Sequence, residues 1–455
     1  MDSTGLLYLL LAVSFALLVG VPAFQYLRRG RRDLFEPVYV GTLVFSLMFW
    51  VRSLRVLWIG SELIGEAPFS ADLVKAWNLA WIYLILATGV FFASYYSHLG
   101  KSLAKVFPRL GTEWKHGAAR SMIVLLFGCG LAAVYSLVGR YGGLGQFLGR
   151  RQDTEPTLGM GVADVELLSY CVALSAFAAY IVFLCRRKHL GTFLFLLAAA
   201  LVVGLVAGSR TYFLYPIATL LLIDHYLRKP KKLRHLVSLG LIAALIISPL
   251  VIVFREGMTF HEISSSEAVV GRAGLPSFIE RFAGVESLLL IIRDTPAVMD
   301  YQYGKTMAFI LIAWVPHYLW ENKPPSFTQL FSALYLGEAF EPGTVGYAPT
   351  IFGEAYINFH VAGIIAIAAV GGFLLRALYE CLIACKRTAS GVFIYAAALP
   401  FLIMCLESHF AAFLTPAWIL TLTWIASRFV SARPCQPAIA GREMMRSQNC
   451  ESVAH

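Results

Sequence analysis

Apolar runs close to 20 residues long recur along most of this chain. That is the length an α-helix needs to cross a hydrocarbon core of roughly 30 Å. Inside lipid the backbone must satisfy its own hydrogen bonds, so runs like these are expected as helices. Only 14% of the residues are charged and 58% are hydrophobic, whereas an ordinary soluble domain is about a quarter charged. The expected fold class is all-α, a polytopic integral membrane protein with about eleven spans near 5–26, 37–59, 72–96, 120–139, 163–185, 190–208, 211–227, 235–254, 351–377, 391–406 and 411–429. Residues 1–430 then form a single transmembrane domain, and 431–455 a flexible cytoplasmic tail. No basic stretch precedes the first run and no small-residue cleavage site follows it, so a retained helix is expected there rather than a signal peptide.

The net charge of +10 raises the question of a nucleic-acid partner, but in a membrane protein the distribution of charge matters more than the sum, and no nucleic acid is expected. Basic clusters follow alternate spans, at Arg28–Arg32, Lys101–Arg120, Arg186–Lys188, Arg228–Arg234, Lys386–Arg387 and along the tail. The positive-inside rule puts that side in the cytoplasm. Thr306–Trp320 is apolar but short for a crossing, and counting it as a span would invert the C-terminal half. It is expected as an interfacial or re-entrant helix within one large extracytoplasmic loop, 255–350, containing short amphipathic helices. Long loops in compact proteins are usually functional or disordered, and this one is too rich in aromatic residues for disorder.

The opposite face is unusually well supplied with arginine. Arg52 and Arg55 stand a turn apart near the end of the second span, and Arg210 sits at the pinch between two apolar runs, in VAGSRTYFLYPI. Arg255, Arg272, Arg281, Arg293 and Lys323 follow in the long loop. A guanidinium fork makes two hydrogen bonds to one phosphate and stays charged at any relevant pH. Each of these residues therefore suits either a lipid-linked diphosphate or, as helix-end arginines often do, ordinary lipid head groups. Outward-facing carboxylates and histidines are Asp300, Glu338, Glu341, Glu354, Glu407, His317 and His409, any of which either takes a proton from an attacking hydroxyl or is an ordinary polar residue of a turn.

Eight cysteines lie in apolar runs or near basic ends, which suggests neither a disulfide framework nor a zinc site. There is no DxD, HExxH or GxxxxGK[ST] pattern, so no metal, cofactor or cytosolic ATPase is expected. No internal repeat with paired broken helices stands out, which weighs against a transporter.

Two segments, YGKTMAFILIAWVPHYLWENKPP at Tyr303–Pro325 and PTIFGEAYINFHVAG at Pro349–Gly363, together with GSRT at Gly208–Thr211, resemble elements of the Wzy-type O-antigen and exopolysaccharide repeat-unit polymerases. His317 stands where the family usually has arginine, and His360 where it has glycine. The resemblance implies a metal-independent glycosyltransferase that moves a growing glycan from undecaprenyl diphosphate to a new lipid-linked repeat unit, on the periplasmic face of the bacterial inner membrane. Donor and acceptor are both undecaprenyl-diphosphate-linked glycans; membrane lipids and a chain-length regulator are the other implied partners. Arg210 then stabilises the leaving diphosphate, with Arg255, Arg272, Arg281, Arg293 and Lys323 in support. Glu354 and His317 are further catalytic candidates, and Asn358 is a substrate contact. Tyr303, Trp320 and Tyr356 offer faces to sugar rings or serve as interfacial anchors. The alternatives are an O-antigen ligase with a lipid A–core acceptor, a lipid-linked glycan flippase or transporter, and a non-catalytic export scaffold.

Overall fold

The computed structural model describes residues 3–28, 33–59, 71–106, 114–140, 143, 162–207, 210–232, 284–313, 315, 320, 322–336, 349–384 and 387–431, without the side chains of 71, 137, 140, 162–167, 205–207 and 210–213. Thirteen helices are considered below: α1 (Ser3–Arg28), α2 (Pro37–Trp58), α3 (Ala71–Tyr96), α4 (His98–Ala104), α5 (His116–Arg140), α6 (Val162–Arg186), α7 (Leu190–Ala207), α8 (Arg210–Leu227), α9 (Gly284–Asp294), α10 (Phe327–Leu336), α11 (Ile351–Ala384), α12 (Ala389–Met404) and α13 (Leu414–Val430). Among the described residues there is no β-strand, only an isolated antiparallel bridge between Trp114 and Ser431. Among the described residues seven helical segments are long and apolar enough to cross a membrane: α1, α2, α3, α5, α6, α11, and α13 with its leading turn from Phe410. α7, α8 and α12 carry shorter apolar stretches. The chain is a multi-pass, all-helical membrane protein. The expected span at 235–254 and most of the long loop lie outside the described residues.

Among the described residues two large hydrophobic cores divide the bundle, beside a small third cluster of Val38, Phe92 and Tyr95. One is built by α5, α6, α7, α8, α12 and α13 around Phe177, Phe393 and Tyr395. The other joins α1, α2, α3, α9 and α10 to the first half of α11 around Trp77, Trp81, Phe49 and Phe331. α11 belongs to both, with Ile351–Ala368 in the second and Tyr379–Ile383 in the first. Its contact with α3 depends on glycine: a Cβ added at Gly372 would lie 2.7 Å from the Phe91 carbonyl oxygen and 3.0 Å from the Tyr95 nitrogen. Lipid tails are as apolar as leucine, so helices in membranes gain by close backbone approach at small residues. Gly372→Leu is expected to push α11 off α3 and cost about 1–3 kcal/mol or more, read as a lower unfolding midpoint in detergent.

At one end of the bundle a buried polar cluster ties both cores together. Asp33, between α1 and α2, accepts from the Tyr226 hydroxyl at 3.1 Å and the Tyr379 hydroxyl at 2.8 Å, with His225 Nε2 at 3.4 Å. Burial opposes its charge, yet the hydrogen bonds from His225 and Tyr379 hold its carboxyl below the usual range. Glu36 accepts from Tyr95 at 2.9 Å and Arg376 at 2.7 Å. α8 reaches Asp33 with Tyr226 of its last turn and α11 with Tyr379, just before its closing π-helical turn. Their first residues, Arg210 and Ile351, therefore open at the other end of the bundle.

Candidate functional site

At that other end, segments far apart in sequence converge on the start of α11. α9 is an unusually buried element: Arg293 alone of its residues is more than marginally exposed. It inserts beside α3, α11 and the end of α2. Its first acid, Glu286, sits in the apolar run VESLLLII and has to find a cation. It finds Arg52. The Arg52 Nε donates to Glu286 Oε1 at 2.7 Å, and Nη2 donates to the same oxygen. Both residues are buried, at 8% and 3% exposure. Arg52 follows a π-helical stretch, Ser46–Val51, a feature common at functional sites. Trp77 and Trp81 brace the next residue by donating to the Ser53 hydroxyl at 3.3 and 3.2 Å. Among the described residues, Arg52 Nη1 and Glu286 Oε2 are buried without a hydrogen bond.

At the far end of α9, Arg293 pairs with its neighbour Asp294 through bonds of 2.6 and 3.0 Å, and Tyr335 of α10 donates to Asp294 at 2.6 Å. Arg293 and Asp294 line an open recess of about 430 Å³ with Asp72, Lys75, Ala76, Leu79 and Ile292.

α11 begins under Thr350, whose hydroxyl caps it by accepting from the Gly353 N–H at 3.1 Å. One turn in, Glu354 is 0% exposed. Its Oε2 accepts from the Phe410 N–H, and the Thr306 hydroxyl acts on the same carboxylate, while Oε1 is buried without a hydrogen bond among the described residues. The Ile351 N–H also donates to the Leu406 carbonyl, at 3.5 Å. The turn between α12 and α13 is thus bound to the head of α11. Within that turn, His409 Nδ1 is 3.0 Å from the Thr328 hydroxyl, and burial holds the ring's pKa down to about 4. It is neutral at neutral pH.

The helix then breaks. Phe359 and His360 leave helical geometry, with His360 at φ 55°, ψ −151°, a region essentially reserved for glycine that costs of order 1–3 kcal/mol elsewhere. Asn358, just before the break, staples it to the preceding loop. Its Oδ1 accepts from the Gly304 N–H at 2.7 Å, and its Nδ2 donates to the Thr306 hydroxyl at 2.6 Å and the Glu354 carbonyl at 2.8 Å. Among the described residues, five non-glycines have positive φ, and Tyr303, Thr350 and His360 of these lie in this one region. Strain of this kind clusters at functional sites. Around the break stand Tyr83, Tyr301, Tyr303 and Tyr356, with ring centroids of neighbours 4.9–6.4 Å apart when His360 is included. Asn358→Ala would remove three hydrogen bonds, to the part-buried Gly304 N–H, the Thr306 hydroxyl and the Glu354 carbonyl. The expected cost is about 2–4 kcal/mol, with faster hydrogen exchange confined to 301–308.

The sequence candidates divide accordingly. Glu354, Asn358, Tyr303 and Tyr356 come together at the break in α11. Tyr303 is 76% exposed and Trp320 41%. Lys323 donates to the carbonyls of Ala313 at 2.9 Å and Val315 at 2.7 Å, and lies over the Phe309 ring; it braces its own loop. Arg293 stands apart at the recess. Within the expected helix 306–320, the described residues form one α-turn, Lys305–Ala308, and a 3-10 turn, Phe309–Leu311. Arg210 heads α8, but its side chain lies outside the described residues, as do Arg255, Arg272, Arg281, His317, Glu338 and Glu341. Sequence reasoning passed over Glu286, Tyr83 and Tyr301. A lone acid in an apolar run was the available signal for Glu286; the two tyrosines had none. Among the described residues no three His, Cys, Asp or Glu side chains converge as metal ligands would.

The profile of the family described as O-antigen polysaccharide polymerase Wzy matches residues 167–430, from α6 through α13. Neither curated proteins nor solved structures give a match. The matched stretch is more than half of the chain and contains the cap, break and staple of α11, so this protein belongs to the O-antigen polysaccharide polymerase Wzy family.

Proposed function

We propose that the protein polymerises undecaprenyl-diphosphate-linked oligosaccharide repeat units at the periplasmic face of the bacterial inner membrane, as a glycosyltransferase that needs no metal. The observation that carries this reading is the convergence, at the end of the bundle where Arg210 opens α8, of the strained and aromatic segment of α11 with the 284–308 region, inside the stretch matched by the family. An acceptor hydroxyl attacks the anomeric carbon of the donor glycan, and the lipid diphosphate leaves with the bonding electrons. Fixed cations stabilise that developing charge without reorganising. Arg210 holds this role first, with Arg255, Arg272, Arg281 and Arg293 in reserve. Exposed Tyr303 and Trp320 offer flat faces to sugar rings, as does Tyr356 at the break. The basic clusters on the opposite side, under the positive-inside rule, support a periplasmic site. Eleven spans, with the eighth at 235–254, give that topology.

The test is removal of the gene in its own host, with surface glycan resolved by size. The expected result is loss of the ladder above one repeat unit, and its return with a plasmid copy. A ladder that forms on the lipid carrier but never reaches lipid A would identify a ligase. A ladder unchanged by gene removal would overturn the reading.

A further inference from the structure

The end of the bundle opposite the candidate site holds a group of cations that the fold brings together and does not neutralise. The turn between α6 and α7 reads CRRKHLG. Within it Arg187 and His189 both take left-handed backbone, at φ 55° and 68°, a conformation that costs any residue with a Cβ. The turn lies against the start of α5. Arg120 Nη2 donates to His189 Nε2 at 3.0 Å, and the His116 and His189 rings stack with centroids 5.7 Å apart. The charges of Arg186 and Lys188 act on the same His116 ring. Arg120, Arg186, Arg187 and Lys188 are all exposed, and none has a carboxylate partner among the described residues. Asp224 of α8, at the same end, is taken by Lys231 and by the Tyr180 hydroxyl. Like charges gathered without an acid between them repel, so the corner favours an anion from outside the chain.

Along the helices from these cations the surface turns apolar. Val124 stands one turn beyond Arg120 on α5, and Leu194 one turn beyond Leu190 on α7; both are exposed, which on helices this apolar means contact with lipid tails. Phe127 of α5 meets Phe195 of α7 edge to face at 5.8 Å between centroids, so the two helices offer one continuous strip below the cations. Fixed positive charge over a lipid-facing strip matches the two-part chemistry of an anionic phospholipid. A soluble anion has no use for the strip, and a zwitterionic head group brings its own cation beside the phosphate. We propose that the corner formed by α5, α6 and α7 binds an anionic phospholipid, with its phosphate on Arg120, Arg187 and Lys188 and its acyl chains along Val124 and Leu194. The bound lipid offsets the repulsion within the strained turn and clamps α5 to α7. The site is independent of the reaction at the other end of the bundle.

The test uses the full chain in a non-ionic detergent, titrated separately with phosphatidylglycerol, phosphatidylcholine and inorganic phosphate while the unfolding midpoint is read. Phosphatidylglycerol is expected to raise the midpoint as its concentration rises, as a ligand of the folded state does; the other two are expected to raise it far less. Arg187→Gly combined with Lys188→Gln removes two charges and relieves one left-handed residue. That variant is expected to need about 30-fold more phosphatidylglycerol for the same rise. Lys101→Gln with Lys105→Gln, the same charge loss at the end of α4, is expected to keep the wild-type curve. An equal rise with phosphatidylcholine would reduce the corner to ordinary lipid contact, and an equal rise with inorganic phosphate would make it a soluble-anion site; either overturns the proposal. So does a control variant that weakens binding as much as the corner variant, because the attraction is then spread over the whole face. If the corner variant melts early without lipid, wild type in about 0.5 M salt decides instead: the rise with phosphatidylglycerol is expected to shrink, and a rise that survives the salt overturns the proposal.

Discussion

Arg52→Met is expected to destabilise the protein by about 3–5 kcal/mol, and Glu286→Leu by a similar amount, while the double variant returns to within about 1–2 kcal/mol of the wild type. The reason is the asymmetry of buried ion pairs. The Arg52–Glu286 pair is taken out of water at both ends and is incompletely satisfied among the described residues, where Arg52 Nη1 and Glu286 Oε2 have no hydrogen bond. Desolvation therefore consumes most of what the contact returns. Removing one partner strands the other's charge in an apolar setting made by Trp77, Trp81 and Leu289, all 0% exposed, and that is where the large cost arises. Removing both replaces two desolvated charges with packing. Unfolding midpoints of the four proteins in one detergent, taken as a double-mutant cycle, give the coupling. Additive losses, with the double variant the least stable, would show that each residue acts through separate contacts. The pair also anchors α9, so either single variant is expected to loosen the recess at Arg293 and Asp294.

The Arg52–Glu286 contact also marks where sequence reasoning stops. Arg52 near the end of an apolar run reads naturally as a residue reaching for phosphate or head groups. Its partner stands 234 positions away, in a helix whose residues have no membrane-length run to announce them. The helices themselves were legible because each depends on a local property, an apolar stretch of the right length with charges or turn residues at its ends. α3 begins and ends within a residue of the expected 72–96. Caps such as Thr350 and Thr388 are local too: each accepts from the N–H three residues on, at 3.1 and 3.0 Å.

The candidate site was legible in its residue types but not in its roles. Asn358 looks like a substrate ligand in NFH, yet all three of its polar bonds close on the chain itself. Lys323 likewise spends its ammonium on Ala313 and Val315. His360 was visible only as an unexpected side chain after Asn-Phe. The conformation that makes it costly lies at a break in α11 to which loop 301–306 is hydrogen-bonded, and no periodicity within the helix carries that information.

Arg210→Ala is expected to leave single repeat units at the surface, with polymerisation slowed about 10²–10³-fold and the protein present in the membrane at its normal level. α7 ends at Ala207 and α8 begins at Arg210, so residue 210 is the first of its helix. The first-turn N–H groups of α8 have no partners within the helix and point toward the same end. The helix dipole adds a partial positive charge there. Under the polymerase proposal, a diphosphate at this end would meet a helix terminus beside lipid, where low dielectric strengthens each interaction beyond its value in water. Arg210→Lys separates charge from geometry. An ammonium supplies the charge but not the planar pair of donors, so Lys is expected to recover only part of the ladder. Equal rescue by Lys would mean that charge alone serves the leaving group. A full ladder from both variants, at matched membrane levels, would reduce Arg210 to a helix-end anchor and pass the diphosphate to the arginines of the long loop.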